Sequence, residues 1–342
     1  MTSFRRDTKW YLFAAKSVIG DVLCHLEVVL LLMIFTVAAS SAWSQTLQVK
    51  DVNLNVIPSG GTVYSNPGTN QWPMPLLYIG IVGAPDCSAV SLSLVVNFTD
   101  VAGLGSYFST TYSMLACDTW TLGWPAGVSE GGTATITAQV SNGVPITFSF
   151  HILGLNATQT VVDQNYSGAP WFFGNILREE SGGRQFCLNG GTGCTVGNGY
   201  PVNSKNPDGI GLGQIDKVVN PTVPDCVYWS FICNIGKAYS ILSGFQNAAG
   251  LAWTNQFTAM EASEGTNSNN WVFPGTVNYA YGSFSYNGTT THPFSDANWI
   301  KMYNAGSKSY YVNWVPPSNG NPGYWSEDVS GYVGQVLSVP AY

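Results

Sequence analysis

Charged side chains are scarce in this chain of 342 residues. Asp, Glu, Lys and Arg make up 9% of it, against about 25% in typical soluble domains. The net charge is −7, and Lys and Arg together number only 12. Because binding to phosphates requires clustered Lys and Arg, this composition argues against a nucleic-acid partner. Gly, Ser, Thr, Asn and Tyr supply the polarity instead, which is typical of an extracellular β-rich protein.

Histidine is rare, and the sequence has no Cys-x-x-Cys motif. The chain contains three His, of which His151 and His292 would remain after export. Zinc sites of the usual kind need several Cys or His ligands at short spacings. We therefore predict no metal site and no cofactor, and we interpret both His as surface or packing residues.

The apolar run near the start is too short to cross a bilayer. It covers residues 28–39, whereas a membrane span needs about 20 residues. A basic stretch precedes it, and Ala42 and Ser44 occupy the −3 and −1 positions of a cleavage site before Gln45. We interpret residues 1–44 as the signal peptide of a secreted or periplasmic protein with no integral membrane span. An uncleaved membrane anchor is the alternative.

Cysteine usage agrees with export. Removal of the signal peptide takes away Cys24 and leaves six of the seven cysteines. An even number suits an oxidising compartment, and the six form three couples that are close in the sequence. We predict the disulfides Cys87–Cys117, Cys187–Cys194 and Cys226–Cys233.

The first half of the exported chain has the pattern of strands. Alternating runs such as residues 90–96 and 133–140 are bounded by turn signals, for example at residues 58–61 and 141–143. Period-two alternation between regular turns is typical of an antiparallel sandwich. We predict an all-β, immunoglobulin-like sandwich domain over residues 45–157, acting as a spacer or binding module.

Helical spacing replaces this alternation in the second half. Pro170 stands where a helix can begin, and apolar residues follow at helical intervals up to the stop at Gly182 and Gly183. The spacing predicts further helices at residues 232–242, 248–262, 299–303 and 329–337. We therefore predict a multidomain chain whose second domain, residues 158–342, is mainly α with long loops.

Three short motifs lie in order along this second half. They are Glu179-Glu180-Ser181, Gly211-Leu212-Gly213-Gln214 and Tyr303-Asn304-Ala305-Gly306. Over about residues 165–340 the set resembles the lytic transglycosylase family, bacterial relatives of goose-type lysozyme. The resemblance implies a lysozyme-like domain that cleaves the β-1,4 bond between N-acetylmuramic acid and N-acetylglucosamine in peptidoglycan.

The resemblance also implies roles for individual residues. It assigns Glu180, which directly precedes Ser181, as the catalytic acid and base, a choice that helical periodicity alone leaves open between Glu179 and Glu180. A glycosidic oxygen leaves readily only when protonated, and burial in a cleft keeps a carboxylic acid protonated near neutral pH. The implied substrate-binding residues are Ser181, Gln214, Tyr303, Asn304 and Tyr332. Ser181 is equally well explained as a polar residue at a helix end.

The sequence departs from the family at Gly213, where the family has Met. We expect this change to remove a side chain from the cleft wall. Most glycosidases use two carboxylates, but the family manages with one Glu, because the sugar's own C6 hydroxyl closes a 1,6-anhydro ring. Four other acids are candidates for a second carboxylate, although each fits a turn or surface position better: Asp208, Asp216, Glu261 and Asp296.

We therefore predict an exported peptidoglycan lytic transglycosylase with Glu180 as general acid and base. Its partners would be peptidoglycan glycan strands, and its products would carry 1,6-anhydro-muramic ends. Two alternatives stay open: a hydrolase similar to goose-type lysozyme or a chitinase, and a non-catalytic protein that binds the cell wall.

Overall fold

The computed structural model describes most of the chain that follows the predicted signal peptide. The described residues are 45–65, 74–84, 86–99, 103, 105–140, 144–188, 195–203, 209–265, 277–278, 283–286, 290–328 and 331–339. Residues 1–44 lie outside them. Across these ranges, none of the helices combines the length and the apolar character that a membrane span requires. We refer to residues 45–157 as the β region and to residues 158–342 as the mixed region.

The β region contains two sheets. Its described strands are β1 Thr46–Lys50, β2 Val56–Ile57, β3 Thr62–Ser65, β4 Leu77–Val82, β5 Ala89–Thr99, β6 Gly105–Leu115, β7 Thr119–Leu122, β8 Gly132–Val140 and β9 Ile146–Gly154. One sheet has the order β2-β1-β4-β7, and the other has the order β3-β9-β8-β5-β6. The described pairings are antiparallel except for β3 with β9, which is parallel.

Alternation of side chains accounts for the central strands of the larger sheet. In β5, every second residue from Val90 to Val96 is buried, and the residues between them are more exposed. The same period buries Ala134, Ile136 and Ala138 in β8. Because successive side chains of a strand point to opposite faces, both strands send their aliphatic residues to one side. These residues form a single hydrophobic core with side chains of the smaller sheet.

The mixed region combines helices with small sheets. Its described helices are α1 Gln159–Gln164, α2 Phe173–Ser181, α3 Cys226–Trp229, α4 Phe231–Gly244, α5 Gln246–Glu264, α6 Phe294–Ala305 and α7 Tyr332–Ser338. Its described strands are β10 Phe186–Cys187, β11 Tyr200–Pro201, β12 Val277–Asn278, β13 Ser283–Tyr286, β14 Thr290–Pro293, β15 Val312–Val315 and β16 Tyr324–Glu327. The pairings are β10 with β11, β12-β13-β14, and β15 with β16.

The predicted fold class is wrong. The structure is mixed, with about 30% helix, 33% strand and several small sheets, so an all-β immunoglobulin-like sandwich followed by a mainly α lysozyme-like domain does not describe it. The error has a physical reason. Strands of two to four residues, such as β10, β12 and β15, are too short to show a period, and their neighbours had the Gly- and Asn-rich composition of loops.

The two regions meet at an aromatic interface. The Phe98 ring of β5 lies edge-on to Tyr228 and Trp229, with ring centroids 5.6 Å and 5.2 Å away. The indole Nε1 of Trp229 donates to Ser106 Oγ at 3.0 Å. A Cβ on Gly131 would lie 2.4 Å from the Trp229 ring, so this close approach of the β region depends on glycine.

Disulfides lie on both sides of this interface. Cys87 pairs with Cys117 in the β region, and Cys226 pairs with Cys233 between α3 and α4. Cys187 is also disulfide-bonded, but its predicted partner, Cys194, lies outside the described residues. Disulfides are typical of oxidising compartments, so the two described bridges are consistent with an exported protein.

Candidate active site

Helix α2 presents Glu180 on its buried side. Ile176 and Leu177 are fully buried, and Glu180 follows them by four and three residues, so it lies on the same stripe with 7% of its surface exposed. Gly182, with a φ of 67°, ends the helix, and its N–H donates to Arg178 O. Glu179, the residue before Glu180, lies beside this stripe and is only partly buried.

A cleft of about 430 Å³ opens at Glu180. This volume lies in the range of typical ligand sites. Four of the residues that the motifs predict line it: Glu180, Gln214, Tyr303 and Asn304. The remaining lining residues come from the segment after β11, the end of α4 and the end of α6: Gly209, Ile215, Asp216, Val219, Asn220, Ile241, Phe245, Met302, Ala305 and Gly306.

Tyr332 holds the carboxyl group of Glu180. Tyr332 begins α7, is 4% exposed, and donates its hydroxyl to Glu180 Oε1 at 2.5 Å. Burial raises the pKa of Tyr332 well above its ordinary value, and the nearby charge on Glu180 and the hydrogen bond to it act in the same direction. The tyrosine therefore keeps its proton and remains a donor to Glu180.

Tyr303 connects α6 to the turn formed by residues 209–215. Its hydroxyl donates to Gly213 O at 2.7 Å. Burial raises the pKa of Tyr303 well above its ordinary value, and the charge on Glu180 raises it further. The hydroxyl is thus engaged with the turn, while the residue as a whole lines the cleft.

The structure corrects the expectation for Gly213. Gly213 is buried and is not among the residues that line the cleft. A Cβ at this position would lie 2.6 Å from Ala238 Cβ and 2.9 Å from the Tyr303 hydroxyl. The absence of a side chain therefore brings the turn close to α4 and Tyr303, and it does not widen the cleft.

Gln185 supports the turn of residues 209–215 through buried hydrogen bonds, a role that the sequence did not reveal. Its side chain is 1% exposed, and its Nε2 donates to the backbone oxygens of Val227 and Tyr228 at 3.0 Å and 2.8 Å. Its Oε1 accepts from Leu212 N at 3.1 Å. Gln185 thus joins the turn to helix α3.

Asn234 supports the same turn from α4. It is fully buried, its Nδ2 donates to Ile210 O at 2.8 Å and Val227 O at 3.2 Å, and its Oδ1 accepts from Gly213 N at 2.8 Å. A signal for it was present in the sequence, because Asn234 lies at helical spacing among the apolar residues of α4. Buried amides need partners for each polar group, so such a residue points to an ordered neighbour.

Gln214 adopts a backbone conformation that is unusual for a residue with a side chain. Its φ is 47°, which costs on the order of 1 kcal/mol for a residue other than glycine. Its Nε2 donates to Val202 O at 3.2 Å and Gly211 O at 2.8 Å. The left-handed backbone and these two bonds fix Gln214 at the cleft.

The other two predicted binding residues differ in exposure. Asn304 is exposed near the end of α6 and lines the cleft. Ser181 is 5% exposed, donates its hydroxyl to Leu177 O at 3.0 Å and accepts from Arg184 N at 3.2 Å. The hydroxyl of Ser181 therefore serves the end of α2, and Ser181 is not among the lining residues of the cleft.

Among the candidate second carboxylates that the structure describes, Asp216 lines the cleft with Glu180. It directly follows the 209–215 turn. Its Oδ1 accepts from Val218 N at 2.8 Å and Val219 N at 2.9 Å. These bonds explain its turn-like sequence context and also hold the carboxylate in a defined orientation.

Of the other candidate acids, the two that the structure describes lie away from the cleft. Asp296 accepts a hydrogen bond from Trp171 Nε1 at 2.9 Å, Glu261 is on α5 outside the cleft lining, and Asp208 lies outside the described residues. Within the described ranges, no three His, Cys, Asp or Glu side chains group in a way that could hold a metal ion.

Comparisons with known proteins do not assign the chain to a family. A scan against models of protein families finds no match, and a search of curated proteins finds none either. The resemblance to lytic transglycosylases therefore rests on the motif residues, four of which line one cleft.

Proposed function

We propose that the protein cleaves β-1,4 glycosidic bonds in the glycan strands of peptidoglycan, with Glu180 as general acid and base. The observation that carries this proposal is the state of Glu180, a buried carboxyl at a cleft whose Oε1 accepts a hydrogen bond from the buried Tyr332 hydroxyl. A carboxyl held in this way has a fixed orientation toward anything bound in the cleft, and proton transfer then requires a glycosidic oxygen within hydrogen-bond distance of it.

The proposed reaction has two proton transfers at one residue. Glu180 gives its proton to the glycosidic oxygen as the bond from that oxygen to C1 of the muramic acid breaks. The C6 hydroxyl of the same sugar then bonds to C1, and its proton passes to the Glu180 carboxylate, which restores the acid. The product carries a 1,6-anhydro-muramic end. Asn304 supplies an amide group along the cleft that can hydrogen-bond the sugar substituents, and Gln214, whose Nε2 is engaged by backbone oxygens, can contribute only its Oε1 as an acceptor.

A second candidate function, hydrolysis, is favoured by the presence of Asp216 in the same cleft. Glycosidases that invert configuration use one carboxylic acid and one carboxylate that activates water. In that reaction Asp216 would take the proton of the attacking water, and the product would have a new reducing end. Goose-type lysozyme and chitinase-like activities belong to this class.

Mass analysis of purified sacculi after incubation with the protein tests these proposals. We expect soluble fragments with 1,6-anhydro-muramic ends and no new reducing ends. Fragments with reducing ends would support hydrolysis and make Asp216→Asn the next variant to assay. Binding to sacculi without release of any fragment would support the non-catalytic wall-binding alternative and contradict the proposed cleavage.

We further propose that the protein acts outside the cytoplasm, in the periplasm or as a secreted protein. The described disulfides Cys87–Cys117 and Cys226–Cys233 support this location, since such bridges persist in oxidising compartments. Sequencing the N-terminus of the protein recovered from its producing cells tests it, and we expect the mature chain to begin at Gln45.

A further inference from the structure

Lys217 links the cleft to the β region. Its Nζ donates to the backbone oxygen of Gly105, the first residue of β6, at 3.1 Å, and to Asp225 Oδ1 at 3.0 Å. The same ammonium lies 4.7 Å from the centroid of the Tyr228 ring. The Lys217 side chain is 13% exposed and that of Asp225 is 43% exposed, so the lysine is the more shielded member of the pair.

This link reaches the cleft wall directly. Lys217 follows Asp216, and the lining residues Asp216, Val219 and Asn220 form one side of the cleft. The bond from Lys217 to Gly105 therefore attaches that wall to a strand of the β region. Hydrogen bonds with a charged donor are stronger than neutral ones, and partial burial reduces their screening by solvent.

A second chain of contacts reaches the neighbouring turn from the same interface. Tyr228 and Trp229 of α3 pack against Phe98 of the β region. The backbone oxygen of Tyr228 accepts from Gln185, whose Oε1 in turn accepts from Leu212 N. The turn that carries Gln214 and the wall that begins at Asp216 are thus both supported from the β region.

We propose that Lys217 is a positioning residue of the cleft, which fixes the wall of residues 216–220 against β6 and makes the β region a part of the catalytic apparatus. This inference rests on the proposed function for its kinetic consequence. Lys217 touches no substrate in this role; it acts by fixing the position of the cleft wall to which Asp216, Val219 and Asn220 belong. The β region then contributes to the geometry of the cleft, in addition to any role as a spacer or binding module.

Kinetics on soluble glycan chains test this role in the mature full-length protein. Lys217→Met keeps an unbranched apolar side chain but removes the ammonium, and with it the contacts to Gly105 O, Asp225 and the Tyr228 ring. We expect it to lower kcat/KM at least tenfold, mainly through kcat, while Lys217→Arg recovers activity to within about threefold of wild type. Lys50→Met, which removes a partly buried ammonium from β1, is the matched control and should leave kcat/KM unchanged.

Backbone hydrogen exchange provides a readout that does not depend on activity. In Lys217→Met we expect faster exchange in residues 214–222 and 105–108 than in Lys50→Met, and unchanged exchange in β8. If the wild-type protein does not cleave glycan, the proposed function fails, and the exchange result alone decides the inference. Equal exchange in both variants, or kcat/KM of Lys217→Met within twofold of wild type, overturns it.

A second variant covers the case in which Lys217→Met does not fold. Asp225→Asn keeps an oxygen acceptor near the ammonium but removes the charge that pairs with it. We expect the same changes as for Lys217→Met, but smaller, with kcat/KM reduced about threefold and exchange faster in residues 214–222. No change in either quantity would overturn the inference as well.

Discussion

In the β region the hydrophobic core consists of apolar side chains, mostly aliphatic, that alternate along strands, whereas the interior of the mixed region also contains amides with defined partners. Val90, Leu92 and Leu94 typify the first kind. Gln185 and Asn234 typify the second, since each joins backbone groups of separate segments. An aliphatic core tolerates exchanges of similar volume, but a buried polar group needs its own partners. The interior of the mixed region, which contains the cleft, should therefore tolerate fewer substitutions than the interior of the β region.

The largest expected effect concerns the acid at the cleft. Glu180→Gln keeps the size of the side chain but has no proton to deliver, so we expect glycan cleavage to fall at least about 10⁴-fold, the upper end of the usual contribution of acid–base catalysis. Glu179→Gln, one position away on α2, should retain nearly full activity. Rates of fragment release from sacculi check this. Loss of activity in Glu179→Gln with activity retained in Glu180→Gln would show that the motif was aligned one residue out.

The next effect contrasts the two interiors directly. Asn234→Ala leaves Gly213 N without its buried acceptor, while Ile210 O still accepts from Ile215 N, so we expect the free energy of unfolding to fall by about 2–3 kcal/mol. Ile136→Val in β8 removes one methylene group from the aliphatic core and should cost about 1 kcal/mol. Urea denaturation of both variants measures the difference. Equal losses would contradict the distinction between the two interiors.

Substitution of two glycines by alanine should change stability by smaller amounts and in opposite directions. Gly213→Ala places a Cβ 2.6 Å from Ala238 Cβ, so we expect a loss of about 1–3 kcal/mol together with reduced activity, because Tyr303 must shift. Gly236, in the exposed part of α4, has no atom within 4 Å of the added Cβ. Gly236→Ala should therefore stabilise the protein by about 0.5–1 kcal/mol. Thermal unfolding and activity assays of the pair check both signs.

An effect that depends on pH is expected at the interface between the regions. Glu130 is 7% exposed and interacts with Ser106, Lys217 and Asp225. Burial raises the pKa of Glu130 to about 7 from the ordinary 4.5, and the negative charge of Asp225 raises it further. The hydrogen bond with Ser106 and the positive charge of Lys217 lower it in part. The folded protein thus favours the neutral acid.

The sign of the pH dependence follows from that shift. Stability from Glu130 is fully present below pH 4.5 and is lost as the pH rises towards 7. With a discount for solvent screening, we expect wild type to lose on the order of 1–2 kcal/mol more than Glu130→Gln between pH 5 and pH 8. Urea denaturation of both proteins at the two pH values measures this, and an identical pH dependence would contradict it.

The periodicity of apolar residues in the sequence was sufficient to predict some of the strands and helices. The period-two runs of β5 and β8 appear as strands, and the helices predicted at residues 232–242 and 248–262 appear as α4 and α5 with slightly wider bounds. Helix α6 begins at Phe294, five residues before its predicted start at Trp299. Its first turn follows Pro293 and carries Asp296, a start signal that was hidden in a stretch interpreted as a loop.

The site was predictable only where a motif marked it. Glu180, Gln214, Tyr303 and Asn304 belong to the quoted motifs, and they line one cleft. Gln185 acts on segments more than 25 residues away in sequence, so no local pattern could reveal its partners. Asp216 has the sequence context of a turn acid, and its hydrogen bonds are those of a turn acid. Only the fold shows that this turn borders the cleft.

The hydrogen bond between Tyr332 and Glu180 joins an early and a late part of the mixed region. The two residues are 152 positions apart, so the carboxyl emerges from the ribosome long before the hydroxyl that holds it. A chain translated only as far as residue 331, or cut before α7, carries Glu180 without this donor. The acid therefore has its anchored geometry only when α7 is docked on α2.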